Sequence, residues 1–114
     1  MFDLEAVQVA YTPAGPPALR GVTIAIRPGE AVGLVGPSGA GKTTLTYLIP
    51  RLYDPSIGRI LLDGHDLRSV TLKSLSDQIG MVTQETYLFH DTIRTNLLYA
   101  NPEATQDEIE AACR

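Results

Sequence analysis

Gly36-Pro37-Ser38-Gly39-Ala40-Gly41-Lys42-Thr43 is the stretch on which the reading of this chain turns. It fits G-x-x-x-x-G-K-[ST]. Glycines let the backbone turn tightly and bring N–H groups against an anion with no Cβ between them. The preceding segment, Ala31-Val32-Gly33-Leu34-Val35, is apolar and predicts a short buried strand. The following segment, Thr43-Thr44-Leu45-Thr46-Tyr47-Leu48-Ile49, predicts the start of a helix. A loop in that place ends at unpaired helical N–H groups, where the helix dipole favours negative charge. Lys42 adds a mobile point charge for outer phosphates, and Thr43 a hydroxyl suited to Mg²⁺. The spelling predicts a phosphate-binding loop. The plain alternative is a glycine-rich turn before an ordinary helix.

The bulk properties agree with a folded domain. The chain has 114 residues, 44% hydrophobic and 19% charged, a balance that suits a globular protein and not a disordered one. Its net charge is −4 and no basic stripe is present, so nucleic acid is not an expected partner. An anionic ligand must then be held by local backbone dipoles and Lys42. Cys113 is the only cysteine, which leaves no internal disulfide. The apolar run Ala31 to Gly41 is too short and too glycine-rich to span a bilayer. Met1-Phe2-Asp3-Leu4-Glu5 has no secretory signal pattern.

Patterning along the chain predicts its elements. Phe2 to Ala10 and Ala18 to Arg27 alternate and read as strands that can pair antiparallel around a proline-rich loop. A helix is expected from Gly41 to Leu52, bent or ended early by Pro50. Arg59 to Leu62 reads as a short strand closed by Asp63-Gly64. Thr71 can cap a helix over Leu72 to Gln78, with Leu72, Leu75 and Ile79 on one face. Gly80 to Thr83 reads as another buried strand, ending at Gln84. Asp91 or Thr92 can cap a helix through Leu97, and Thr105 with Glu108 makes a capping box for a helix from Gln106 to Cys113.

Taken in order, these features resemble the nucleotide-binding domain of ATP-binding cassette (ABC) transporters, most closely the exporter type. The resemblance rests on Tyr11, Leu19-Arg20-Gly21-Val22, Pro28-Gly29-Glu30 and the phosphate loop. It continues through Arg51-Leu52-Tyr53-Asp54-Pro55, Leu62-Asp63-Gly64-His65-Asp66, Val82-Thr83-Gln84 and Leu88 to Leu97. It covers nearly the whole chain, as the N-terminal part of that domain. The fold it implies is an α/β P-loop NTPase of the ABC type, with an N-terminal antiparallel β portion and a parallel-sheet core.

The resemblance also implies roles. ATP with Mg²⁺ would be the ligand. Tyr11 would stack on adenine, while Gly36, Ser38, Gly39, Ala40, Gly41, Lys42, Thr43 and Thr44 would cradle the phosphates. Thr43 and Gln84 would reach the metal, and Lys42 and Gln84 would serve hydrolysis. The implied partners are the transmembrane domain of an exporter, fused or separate, and a second nucleotide-binding domain arranged head to tail. The implied place is the cytoplasmic face of a membrane. Tyr87 and Phe89 are equally readable as interface aromatics or as core residues.

Three of the family's catalytic parts do not occur in this sequence: the acidic strand ending in Asp-Glu, the Leu-Ser-Gly-Gly-Gln-type signature, and the late histidine. Ile60-Leu61-Leu62-Asp63 is followed by Gly64 and matches the family's earlier strand and turn, and His65 and His90 read as surface loop residues. The expectation is therefore ATP binding, with hydrolysis a property of the complete dimeric domain. Open alternatives are a non-catalytic nucleotide-binding partner and a soluble ABC-type ATPase not linked to transport. A P-loop GTPase or kinase is disfavoured, since no base-reading Asn/Thr-Lys-x-Asp motif or arginine-rich lid is present.

Overall fold

Period-two patterning makes strands of Phe2–Val9 (β1) and Leu19–Ile26 (β2). They pair antiparallel, with Phe2 opposite Ile26 and Val9 opposite Leu19, as the sequence predicts. Strand β3, Ile57–Leu62, pairs antiparallel with the other edge of β1, and the short β4, His65–Asp66, completes the order β2-β1-β3-β4. The computed structural model describes every residue from Met1 to Arg114, in two units, Met1–Gly80 and Met81–Arg114. The sheet lies in the first.

Strand β1 breaks strict alternation, because Leu4, Val7 and Val9 are its buried residues. Ala6 has φ +47°, and the pairing register shifts around it on both edges. An irregularity of one residue turns all later side chains to the opposite face, which re-aims Val7 and Val9 inward. Gly58 of β3 accommodates this bulge. Its φ is +85°, and a Cβ there would lie 2.4 Å from the Glu5 carbonyl oxygen and 2.5 Å from that of Ala6.

Helix α1, Lys42–Leu48, adds Leu45 and Leu48 to a core built on Leu4, Val7, Val9, Leu19, Ile60, Leu67 and Leu75. It ends early, as Pro50 requires. The Leu52 N–H donates to the Tyr47 carbonyl at 3.0 Å and the Arg51 N–H to the Leu48 carbonyl at 3.1 Å. Arg51 itself sits at φ +57°. This pair of bonds around a left-handed residue is a helix stop that usually employs glycine. Here the guanidinium compensates, donating to Asp54 at 2.8 Å and to the Leu67 carbonyl at 3.0 Å. A turn of 3₁₀ helix, Leu67–Ser69, leads to α2, Leu72–Ser76, whose N-cap Thr71 accepts from the Ser74 N–H. Leu75 is buried, but Leu72 is 60% exposed, contrary to the expected shared face. Residues three apart are rotated about 60° around a helix axis, and in so short a helix only one of them points squarely inward.

Two expected strands do not form. Ala31–Val35 and Gly80–Thr83 carry no strand ladder, and Val35 and Val82 are each 97% exposed. A strand exists only through hydrogen bonds to a neighbour. Apolarity marks a segment as fit for burial and does not supply that neighbour. The antiparallel portion of the expected fold is present, and no parallel pair occurs in the sheet.

In the second unit, α3 (Ile93–Leu98) is capped by Thr92 and α4 (Gln106–Ala112) by the complete Thr105–Glu108 capping box, both as the sequence predicts. The Asn96 carboxamide accepts from the Phe89 N–H at 2.7 Å and donates to the Phe89 carbonyl at 3.1 Å. Phe89 also meets the Tyr99 ring at 4.9 Å. Tyr87 and Phe89 are both exposed, so neither is a core residue here. No helix is long and apolar enough to cross a membrane.

Candidate functional site

The glycine loop is seated on the sheet by steric necessity. Gly41, the residue before α1, has φ +91°, and a Cβ there would lie 2.8 Å from the Ala18 carbonyl oxygen and 2.8 Å from Leu19 Cδ2. Only glycine lets the loop reach the start of β2 at that distance. A turn with the Ala40 N–H donating to the Pro37 carbonyl at 3.2 Å shapes the remainder.

This seating opens a cleft of about 540 Å³, within the usual range for small-ligand sites. The cleft brings Ser38, Gly39, Gly41, Lys42, Thr43 and Thr44 together with Tyr11, from the bend after β1, and with Ala18. Gly36 and Ala40 belong to the loop but not to the cleft wall; a Cβ on Gly36 would lie 3.3 Å from the Ala40 Cβ. Gln84 is exposed and belongs to the second unit.

The polar groups are arranged for exchange. The Lys42 ammonium donates to the Gly36 carbonyl at 2.5 Å and to the Pro37 carbonyl at 2.7 Å. Neutral carbonyls are weaker partners for an ammonium than phosphate oxygens, so an anion can take over the charge. Thr43 is exposed at the wall. Thr44 is the buried polar residue of the chain, and its hydroxyl lies 2.6 Å from the Tyr11 phenol oxygen.

Displaced carboxyl titrations lie outside the cleft and follow local hydrogen bonds. The amino terminus holds Asp63 below the usual carboxylate range, Arg68 does so for Asp66, the Thr92 N–H for Asp91, and the Thr105 N–H for Glu108. These groups stabilise turns and helix starts. Ile60-Leu61-Leu62-Asp63 forms the end of β3 and its turn, and His65 and His90 are exposed.

Two contributors escape a reading of the sequence. Ala18 matters through its backbone carbonyl, and nothing in its identity marks it. Tyr53 meets the Tyr11 ring, yet in the sequence it is only part of Arg51-Leu52-Tyr53-Asp54-Pro55. A second aromatic close behind the loop is the one available hint.

Comparison with known proteins places the chain in a family. A family model described as ABC transporter matches residues 19–114. Over 113 residues the chain is 49% identical to the ATP-dependent lipid A-core flippase of Syntrophus aciditrophicus (strain SB), a match covering 99% of this chain and 18% of that protein. Over 112 residues it is 49% identical to the fatty acid ABC transporter ATP-binding/permease protein of Mycobacterium tuberculosis (strain CDC 1551 / Oshkosh), covering 98% of this chain and 18% of that protein. The solved structure of a bacterial Atm1-family ABC exporter with ATP bound is similar at a TM-score of 0.91 and 40% identity, over 98% of this chain and 20% of that one. The chain thus spans about a fifth of the length of these relatives. Because the family model runs from β2 through the glycine loop and α1 to the last residue, this chain belongs to the ABC transporter family.

Proposed function

We propose that the chain binds ATP–Mg²⁺ as the N-terminal part of an exporter's nucleotide-binding domain. The observation that carries this is the cleft in which Tyr11 faces the loop Ser38–Thr44. An aromatic ring and a phosphate cradle on one cavity suit the two ends of a nucleotide. Gly36, Ser38, Gly39, Ala40, Gly41 and Thr44 supply the loop that surrounds the phosphates, and Lys42 supplies the charge. Thr43 and Gln84 are neutral oxygen donors, the ligand chemistry that Mg²⁺ accepts. Held in the complete domain, the ion would supply neutralisation of phosphate charge. Lys42 and Gln84 would then orient the γ-phosphate and water in the complete domain.

In the whole protein, ATP binding would close two such domains head to tail, and hydrolysis would reopen them. The chemistry is mostly positioning and charge stabilisation. The attached membrane domain would convert the cycle into export, with this domain at the cytoplasmic face. The similar solved structure, an Atm1-family ABC exporter, supports that direction. In that setting Ala31–Val35 and Gly80–Thr83 would join a parallel sheet.

Titration of the chain with ATP–Mg²⁺ tests the reading. Saturable binding is expected, at least about tenfold weaker in Lys42→Ala, the loss of roughly 1.4 kcal/mol or more. A wild-type chain with no saturable signal overturns it. Turnover by the chain is not expected, and robust hydrolysis that Lys42→Ala abolishes would contradict the assignment of catalysis to the complete dimer.

A further inference from the structure

Three tyrosine rings stand beside the cleft, and only one of them lines it. Tyr53 meets Tyr11 edge-on, with ring centroids 5.6 Å apart and planes at 82°. Tyr47, from α1, stacks behind Tyr53 at 6.4 Å and 28°. Edge-to-face contacts fix relative ring planes, because the positive ring edge is drawn to the negative face.

Tyr11 needs such a restraint, since it is 57% exposed and follows the end of its strand. A side chain ordered only on binding costs affinity, so a stacking platform works best when its plane is already set. The phenol contact with Thr44 holds one end of the ring. The Tyr53 contact is what holds the plane.

Tyr53 is itself held by a clamped turn. Arg51 and Asp54 bracket it and are joined at 2.8 Å, while the same guanidinium donates to the Leu67 and Val70 carbonyls. We propose that Tyr53 is a positioning residue that presets the ring plane of Tyr11 and so favours a base-bearing triphosphate over triphosphate alone. This rests on Tyr11 being the adenine platform.

The test compares equilibrium binding of ATP–Mg²⁺ and of inorganic tripolyphosphate with Mg²⁺ to the chain and its variants. Tyr53→Leu is expected to weaken ATP binding roughly three- to tenfold, the scale of an aromatic pair, and to leave tripolyphosphate within about twofold. Tyr53→Phe is expected to match wild type, since the contact uses the ring. In a Tyr11→Leu background, Tyr53→Leu should cost nothing more. Equal losses for both ligands, an unchanged ATP affinity, or an additive loss in the Tyr11→Leu background each overturn the proposal. If Tyr11→Leu weakens ATP while Tyr53→Leu does not, only the role of Tyr53 fails. If wild type binds ATP no tighter than tripolyphosphate, the platform reading of Tyr11 fails and takes this proposal with it. Should Tyr53→Leu not fold, NMR cross-peaks between the Tyr11 and Tyr53 rings of the wild-type chain decide. They are expected with and without ATP, and their absence overturns the contact.

Discussion

The Tyr11 phenol and the Thr44 hydroxyl lie 2.6 Å apart across 33 positions of sequence. The bond joins the bend after the first strand to the first turn of the helix that follows the glycine loop. It places an aromatic ring at the mouth of a cleft whose wall is otherwise Ala18 and residues of the loop from Ser38 to Thr44.

Tyr11→Phe separates the phenol from the ring. It leaves the buried Thr44 hydroxyl without its partner, so a loss of about 1–2 kcal/mol in stability is expected. The ring remains, and ATP affinity should fall less than in Tyr11→Ala, where base stacking worth roughly 1–3 kcal/mol also goes. Urea unfolding and nucleotide titration of both variants read the two effects.

Gly41 and Gly58 should answer differently to alanine. At both, the new Cβ would collide with backbone at a positive φ, so each variant is expected to lose about 2 kcal/mol or more. Gly58 lies under the bulge of β1, away from the cleft, and Gly58→Ala molecules that remain folded should keep their ATP affinity. Gly41→Ala pushes the loop off β2 and should weaken binding as well. Denaturant midpoints beside titrations of the folded fraction distinguish the two.

Arg51 invites a comparison of glycine with alanine. Both variants lose the bonds to Asp54 and to the Leu67 and Val70 carbonyls. Glycine tolerates the φ of +57° and alanine does not. Arg51→Ala is therefore expected to melt lower than Arg51→Gly, by roughly 4–8 °C. Equal melting temperatures would show that the helix stop has rearranged.

Glu108 predicts a pH response of α4. Its carboxylate accepts from the Thr105 N–H at 2.8 Å, which lowers its pKa from an ordinary 4.5. A folded-state pKa below the unfolded one gives stability that is fully present above about pH 4.5 and is lost as pH falls through the folded value. NMR titration of the Glu108 side chain should show a midpoint below 4.5, moved upward in Thr105→Ala. In Glu108→Gln this acid-dependent loss of α4 helicity should vanish.

How much was legible depended on the distance over which a feature is decided. The Thr71, Thr92 and Thr105 caps were readable because each is a bond to a residue three positions on. The antiparallel pair β1–β2 was readable from alternation and a short connecting loop, though not the Ala6 bulge, since nothing in alanine announces a positive φ. Pro50 announced that α1 would stop, and the left-handed Arg51 that completes the stop was silent. Ala31–Val35 and Gly80–Thr83 carry the composition of buried strands and lie unpaired, because composition is a property of the segment and pairing a property of its neighbour.

By itself, then, the sequence determined the glycine loop, the lysine and threonines that follow it, and the helix starts, for these rest on backbone geometry and bonds within a few residues. Only the tertiary structure decided that Tyr11 would meet Thr44 and Tyr53, and that Gly41 would press on Ala18. Those contacts join residues far apart along the chain. They exist because the sheet and the core beneath it fix where each segment ends, and no local pattern encodes that position.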